Sequence, residues 1–266
     1  MNGKPVSFRP LSAILCAIPC LAALLAGPQE AKAGEAPLHV AAAADLMPVL
    51  PALVRKFTKE SGIPVRISWG SSGEEALAIR HRAPYDLFMA ADRAFPRSLT
   101  SGGYLRKDSL RTYATGILVL WVSKKTLDRT KGRPGTDLLS RPAVRRMALA
   151  NPRLAPYGQA AVACLRSRKL WPALEKKAVY GNSLAQVAQY LRTGVAQAGF
   201  LSLSQARSLG RRVKGDFVTL SPLCAPALPQ AMGIVARTRK EKEARAFESY
   251  IMGPDAQGYL KKHGYH

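Results

Sequence analysis

From residue 38 onward, short apolar runs alternate with stretches in which apolar residues return every three or four positions. Leu38 to Ala42 reads as a strand. Leu46, Val49, Leu50, Leu53, Val54 and Phe57 then recur at helical spacing, and Gly62 with Pro64 ends that helix. Val65 to Trp69 alternates as a second strand. After Ser71-Ser72, Glu74 and Glu75 occupy a first helical turn, where the helix dipole favours carboxylates, and the helix runs towards Arg82. Asp86 to Ala90 is a buried-strand candidate, with Asp86 structural at its start. Asp92 caps a helix ending near Gly102-Gly103.

The alternation continues. Ile117 to Val122 is an apolar strand placed to cross to a second lobe. Arg146 to Ala150 is another strand, followed by a helix through Cys164 and Leu165. Val179-Tyr180 is a short strand, and Asn182 and Ser183 are N-cap candidates for a helix reaching Gly194. Ala198 to Leu203 and Phe217 to Leu220 are strands, and Ala231 to Ala236 is the second crossing candidate. Glu241 to Ile251 and Pro254 to Lys262 are terminal helices that pack back on the first lobe. Strand–helix alternation of this kind predicts an α/β fold with mostly parallel sheets flanked by helices. Two such lobes joined by crossing strands put the strand C-terminal ends face to face across a cleft, where ligands of open α/β sheets bind.

The first residues have a different character. Lys4 and Arg9 precede an apolar run, Leu11 to Leu25, and Ala31-Lys32-Ala33 is a small-residue cleavage signal before Gly34. This is the arrangement of a secretory signal peptide. The run is short for a membrane span and contains Pro19. The expected organisation is therefore a signal peptide over 1–33, lobe 1 over 34–116, lobe 2 over 117–230 and a return to lobe 1 over 231–266. The mature protein is expected to be soluble and exported.

Charge and cysteine content narrow the picture. Loss of Lys4, Arg9, Lys32 and Glu30 with the signal peptide lowers the net charge from +23 to +21. The basic residues are scattered, with no aromatic–basic RNA signature and no zinc-finger spacing, so nucleic acid is not an expected partner. Such a surface favours the arrival of small anions in general. Cys16 and Cys20 leave with the signal peptide. Cys164 and Cys224 remain, and the sequence leaves open whether they pair or stay as buried thiols. His39, His81, His263 and His266 are dispersed and form no ligand pair. There is no G-x-S-x-G, no H-E-x-x-H and no P-loop, which argues against an enzyme.

Three segments join a predicted strand to a predicted helix through small or hydroxylated residues. They are Ala41-Ala42-Ala43-Ala44-Asp45, Gly70-Ser71-Ser72-Gly73 and Asn151-Pro152-Arg153-Leu154-Ala155-Pro156-Tyr157-Gly158. A helix start leaves backbone N–H groups without intrahelical acceptors, and with the helix dipole these make an anion site. Three in one chain suggest helix starts converging on one anion.

The first and third of these segments also carry a family resemblance. Together with Ala83-Pro84-Tyr85-Asp86-Leu87-Phe88, Gly199-Phe200-Leu201-Ser202-Leu203-Ser204-Gln205, Gly253-Pro254-Asp255-Ala256 and His263-Gly264-Tyr265, they resemble the molybdate-binding proteins of ABC transporters, in order along the mature chain. The resemblance implies a two-lobed type 2 periplasmic-binding-protein fold and capture of molybdate or tungstate for a membrane permease. It implies no cofactor, no direct protein–metal ligand and a monomer. By position it implies anion contacts from Ala44, Asp45, Ser72, Tyr157 and Leu184. Ser72 would supply hydroxyl and amide, Tyr157 its N–H and Leu184 its backbone N–H. Ala44 stands where many members have serine, so only its backbone serves. Ser202 stands where some members have tyrosine. Phosphate or sulfate transport, and an exported hydrolase of anionic substrates, are the alternatives.

Asp45 admits two readings. A carboxylate about 4 Å from a dianion is repelled by about 4 kcal/mol per unit of ligand charge at an effective dielectric near 20. As an N-cap it would turn from the ligand and bond a first-turn amide. Alternatively it accepts a proton from the ligand, which hydrogenphosphate can give and molybdate, tungstate and sulfate at neutral pH cannot. Ser71 and Ser72 are candidates both for capping and for anion contact. Tyr157 is either a buried aromatic with its hydroxyl satisfied elsewhere or a ligand contact.

Overall fold

The computed structural model describes residues 36–266. The signal-peptide reading of 1–33, its cleavage point at Ala33, and Cys16 and Cys20 lie outside the described residues. Strand β1 (Leu38–Ala43) leads through a 3-10 turn (Ala44–Leu46) into α1 (Leu50–Ser61). Then come β2 (Val65–Gly70), α2 (Ser72–Arg80), β3 (Leu87–Met89), α3 (Ala94–Ser101) and β4 (Arg111–Gly116). The second lobe holds β5 (Leu118–Ser123), α4 (Lys124–Thr130), β6 (Met147–Ala150), α5 (Pro156–Ser167), α6 (Trp171–Leu174) and β7 (Ala178–Gly181). It continues with α7 (Leu184–Arg192), β8 (Ala198–Ser202), α8 (Leu203–Gly210) and β9 (Gly215–Thr219). The chain returns to the first lobe in β10 (Leu228–Ile234), α9 (Glu241–Met252) and α10 (Pro254–Lys262).

The two sheets are built alike, with strand orders β2-β1-β3-β10-β4 and β7-β6-β8-β5-β9. In each, four strands run parallel and the fourth in order runs against them. The reversed strand is the one that has just arrived from the other lobe. The parallel strands end at the cleft, so a chain entering from it must run away from it.

Alternation along β1 sends Val40 and Ala42 to one face and Ala41 to the other. The first face packs against α1 and α9, where Phe57 and Phe247 meet edge to face at 5.0 Å. The terminal helices therefore do return to the first lobe. The second lobe has its own core around Trp121, Leu149, Leu165 and Phe200, all fully buried.

The crossings differ from the expectation. Ile117–Val122 does not itself cross: β5 lies wholly in the second sheet, and the chain changes lobes at Ile117, between β4 and β5. Likewise β10 lies wholly in the first sheet, and the second crossing precedes it, at 220–227. Pairing of β10 with β4 already begins at Leu228 opposite Gly116, so Gln230 belongs to the first sheet. Strand β4 escapes a hydrophobicity reading because it is an edge strand rich in threonine. Helix α4 also escapes it. In α4 only Thr126 is buried, which leaves no apolar stripe to find.

Cys164 and Cys224 are joined in a disulfide, with Cα atoms 4.6 Å apart. The bond ties the second crossing segment to α5. Among the described residues, no helix is long and apolar enough to cross a membrane.

Candidate functional site

The C-terminal ends of β1, β2, β6 and β7 each deliver the chain to a helical turn at the cleft, and one small cavity collects them. Its wall is formed by Ala43, Ala44, Asp45, Gly70, Ser71, Ser72, Ala91, Ala155, Pro156, Tyr157 and Leu184. Its volume of about 10 Å³ is on the order of one water-sized sphere. All five residues singled out from the sequence, Ala44, Asp45, Ser72, Tyr157 and Leu184, lie in this wall.

The second turn separates its two serines. Ser71 is the N-cap of α2 in a capping box: its Oγ accepts from the Glu74 N–H at 3.3 Å and donates to Glu74 Oε2 at 2.9 Å. Its hydroxyl is thus spent on the helix. Ser72 follows at the first helical position, fully buried. Its Oγ accepts from the Ala91 N–H at 2.9 Å. A backbone N–H can only donate, so the Ser72 hydroxyl keeps its own proton free for another acceptor.

The third turn places Ala155 as an N-cap with no side-chain bond and Pro156 at the start of α5. Proline has no N–H to lose there, and the Tyr157 and Gly158 N–H groups have no intrahelical acceptor. Gly158 is required by close approach, since a Cβ would run into the Ala150 carbonyl at the end of β6. The fourth turn begins α7 at Leu184. Ser183 occupies the N-cap position without a side-chain bond, while the Asn182 N–H donates to Gln186 Oε1 at 2.7 Å. The Leu184 N–H is again a first-turn donor at the cavity.

Among the described residues, no lysine, arginine or histidine lines the cavity. Its donors are neutral, and the one ionisable carboxyl in the wall is Asp45.

Asp45 corrects the capping expectation. The turn starts at Ala43, with no side-chain cap bond. The Asp45 carboxyl instead enters a buried cluster drawn from both lobes. Gln230 Nε2 donates to Oδ2 at 2.8 Å, and the Tyr265 hydroxyl donates to the Asp45 carbonyl at 2.8 Å and to Oδ2 at 3.2 Å. Gln230 Nε2 also donates to the Tyr157 hydroxyl at 3.1 Å, and the Tyr113 hydroxyl donates to Gln230 Oε1 at 2.9 Å. Oδ1 is buried with no partner. Burial pushes the Asp45 carboxyl up to about 7, against the lowering effect of hydrogen bonds from Gln230, Tyr265, its own backbone N–H and the Tyr157 hydroxyl. Burial, and then the neighbouring Asp45 charge, holds Tyr113, Tyr157 and Tyr265 well above the ordinary tyrosine value.

Gln230, Tyr113 and Tyr265 were given no role from the sequence. Gln230 had a signal: it is the polar residue in an otherwise apolar stretch of β10, and it is completely buried. The other polar candidates are structural. Asp86 accepts from the His39 N–H and the Thr238 hydroxyl, Asp92 accepts from the Phe95 N–H at the start of α3, and Ser202 caps α8 through the Gln205 N–H.

The lobes touch directly. The Gly73 N–H donates to the Leu154 carbonyl at 2.8 Å, Gln205 Nε2 to the Ala44 carbonyl at 2.8 Å, and Arg207 Nη1 to the Lys262 carbonyl at 3.2 Å. The cleft is closed around its cavity.

Comparison with known proteins finds relatives across the described chain. Residues 38–266 match the family described as bacterial extracellular solute-binding protein. The chain is 33% identical over 243 residues to the molybdate-binding protein ModA of Azotobacter vinelandii, covering 91% of this chain and 95% of that one. It is 30% identical over 210 residues to ModA of Rhodobacter capsulatus, covering 79% and 80%. The solved structure of the Azotobacter vinelandii periplasmic molybdate-binding protein superimposes with a TM-score of 0.80 at 30% identity, covering 86% of this chain and 98% of that one.

Proposed function

This chain belongs to the bacterial extracellular solute-binding protein family, and from that premise we propose that it captures molybdate or tungstate between its lobes for the membrane permease of an ABC importer. The observation that carries the reading is a small cavity between touching lobes, walled by the residues of several helix starts and Ser72, with no cationic side chain among the described residues that line it. Such donors suit a small, fully deprotonated oxyanion. Each hydrogen bond to it is charge-assisted, and the donors are already fixed, so binding does not pay to order long charged side chains. The sequence relatives named for molybdate support the choice of anion.

In this reading Ser72 gives its hydroxyl and N–H, Tyr157 and Leu184 give backbone N–H groups, and the turn at Ala44-Asp45 supplies backbone donors. Ala44 contributes no hydroxyl. The lobes close over the anion, and binding shifts the population towards the closed form. No bond of the anion is made or broken; the protein holds and releases it. We further propose export with cleavage near Ala33, action in the periplasm, and a monomer.

Calorimetric titration of the ligand-free mature protein with molybdate, tungstate, sulfate and phosphate tests this. One-to-one binding of molybdate and tungstate, with weak sulfate and phosphate and little salt dependence, is the expected result. A preference for phosphate, or no saturable binding, would overturn it.

A further inference from the structure

The Asp45 carboxyl is the unexplained group in this cavity. A site for a dianion built from neutral donors should not have a buried negative charge beside it, yet Asp45 is one of its wall residues and is fully buried. The two oxygens are not equivalent. Oδ2 receives the Gln230 amide and the Tyr265 hydroxyl. Oδ1 receives nothing and is shielded from solvent.

An ionised Asp45 would leave Oδ1 as an unpaired negative atom beside a dianion, with no cation in the wall to offset it. A proton on Oδ1 removes both problems. It neutralises the charge and turns the unpartnered oxygen into a donor, while Oδ2 keeps its two hydrogen bonds. We propose that Asp45 enters the closed complex as the neutral carboxylic acid, donating its Oδ1 proton to the captured oxyanion, so that each anion bound brings one proton from solvent with it. The inference rests on the reading of this cavity as an oxyanion site.

The surroundings favour this state. The groups that face Asp45 are Gln230 from β10, Tyr157 from α5, Tyr113 from β4 and Tyr265 from the C-terminal segment, with Ser204 of α8 against Tyr265 and Asp92 beyond Tyr113. None is a lysine, arginine or histidine that would hold the carboxylate ionised. The three tyrosines stay neutral well beyond the physiological range. Burial already raises the carboxyl towards neutrality in the empty protein, and a dianion placed beside it raises it further.

Anion binding and proton binding at one site are then linked. Below about pH 6 the proton is already present and affinity is flat. Above the titration of the empty protein, the proton must be taken up on binding, and affinity falls by about tenfold per pH unit. Asp45→Asn replaces the acid by a neutral group that keeps a donor, and should bind without this dependence.

The test is molybdate titration of the mature protein and of Asp45→Asn from pH 6 to pH 9, in two buffers of different ionisation heat so that proton uptake is measured directly. The expected result for the native protein is uptake rising from near zero towards one proton per anion, with affinity falling across the range. Asp45→Asn should show constant affinity and no uptake. Native binding of molybdate with constant affinity and no uptake would overturn the inference while leaving the oxyanion site standing. Failure of the native protein to bind molybdate at any pH would overturn both. Tight phosphate binding lost in Asp45→Asn would overturn it in favour of a carboxylate that accepts the ligand's own proton.

Discussion

Gly73, in the first turn of α2, donates its backbone N–H to the carbonyl of Leu154 in the other lobe at 2.8 Å. The contact exists because Gly73 has no side chain: a Cβ there would lie 2.9 Å from both the Leu154 Cα and its carbonyl oxygen. Backbone on both sides leaves nothing flexible to yield. Helix start and opposing loop thus form a latch beside the cavity.

Gly73→Ala should therefore hold the lobes apart. The lost hydrogen bond and the clash together are expected to weaken anion binding by about tenfold or more, a single such bond contributing about 1 kcal/mol. The ligand-free protein should be as stable as before or slightly more so, because alanine favours a helix over glycine by about 1 kcal/mol. Titration alongside thermal melting of both proteins checks this. Unchanged affinity would remove the latch from the account.

Ser72→Ala deletes the hydroxyl placed at the cavity and leaves the Ala91 N–H without its acceptor. A hydrogen bond to a charged partner contributes about 1.5–3 kcal/mol, so molybdate affinity should fall roughly ten- to hundredfold with the fold retained. Ser71→Ala should differ in kind. Its hydroxyl serves the capping box, so that variant should lose about 1 kcal/mol of stability with a smaller effect on affinity. Titration and denaturant unfolding separate the two.

The Asp45 carboxyl gives stability a pH dependence of definite sign. Its titration is raised from 3.8 to about 7 on folding. Between those values the folded protein holds a proton that the unfolded chain has lost, so stability falls as pH rises through this window. The cost is absent below about pH 4 and complete above about pH 7, where it is on the order of 4 kcal/mol. Asp45→Asn should remove it. Unfolding in denaturant should find the variant more stable than the native protein at pH 8 and nearly equal to it at pH 4.

The Cys164–Cys224 disulfide spans a sequence separation of 60 residues. Closing a loop of that size restricts the unfolded chain and is expected to contribute about 2–4 kcal/mol. Reduction, or replacement of both cysteines by alanine, should lower the melting temperature and leave molybdate binding largely intact. The cysteines are not in the cavity wall. Melting curves with and without reductant measure the effect.

The sequence made the strand–helix alternation readable wherever elements carried an apolar stripe, as in β1, α1 and α9. It failed where burial was not written in hydrophobicity: the threonine-rich edge strand β4 and the polar helix α4. The turns that hold Ala44, Asp45, Ser72 and Tyr157 were legible because helix starts need small or hydroxylated residues, which leave a local signature; the choice of those residues as contacts, and Leu184 altogether, came from the family resemblance. The Asp45 cluster was not legible. Gln230 lies 185 residues from Asp45 and Tyr265 lies 220 from it. Contacts of that range follow from how the returning strand and the C-terminal segment pack, which no local pattern encodes. The capping expectation for Asp45 failed for the same reason, since a short local bond lost to distant partners that only the fold brings near.

The central claim is that one oxyanion sits among the helix starts of this cavity. Diffraction from crystals grown with molybdate, recorded at the molybdenum absorption edge, tests it most directly. The account predicts one strong anomalous peak between the lobes, bordered by Ser72, Tyr157 and Leu184. An empty cavity with peaks only at surface arginines and lysines would contradict it.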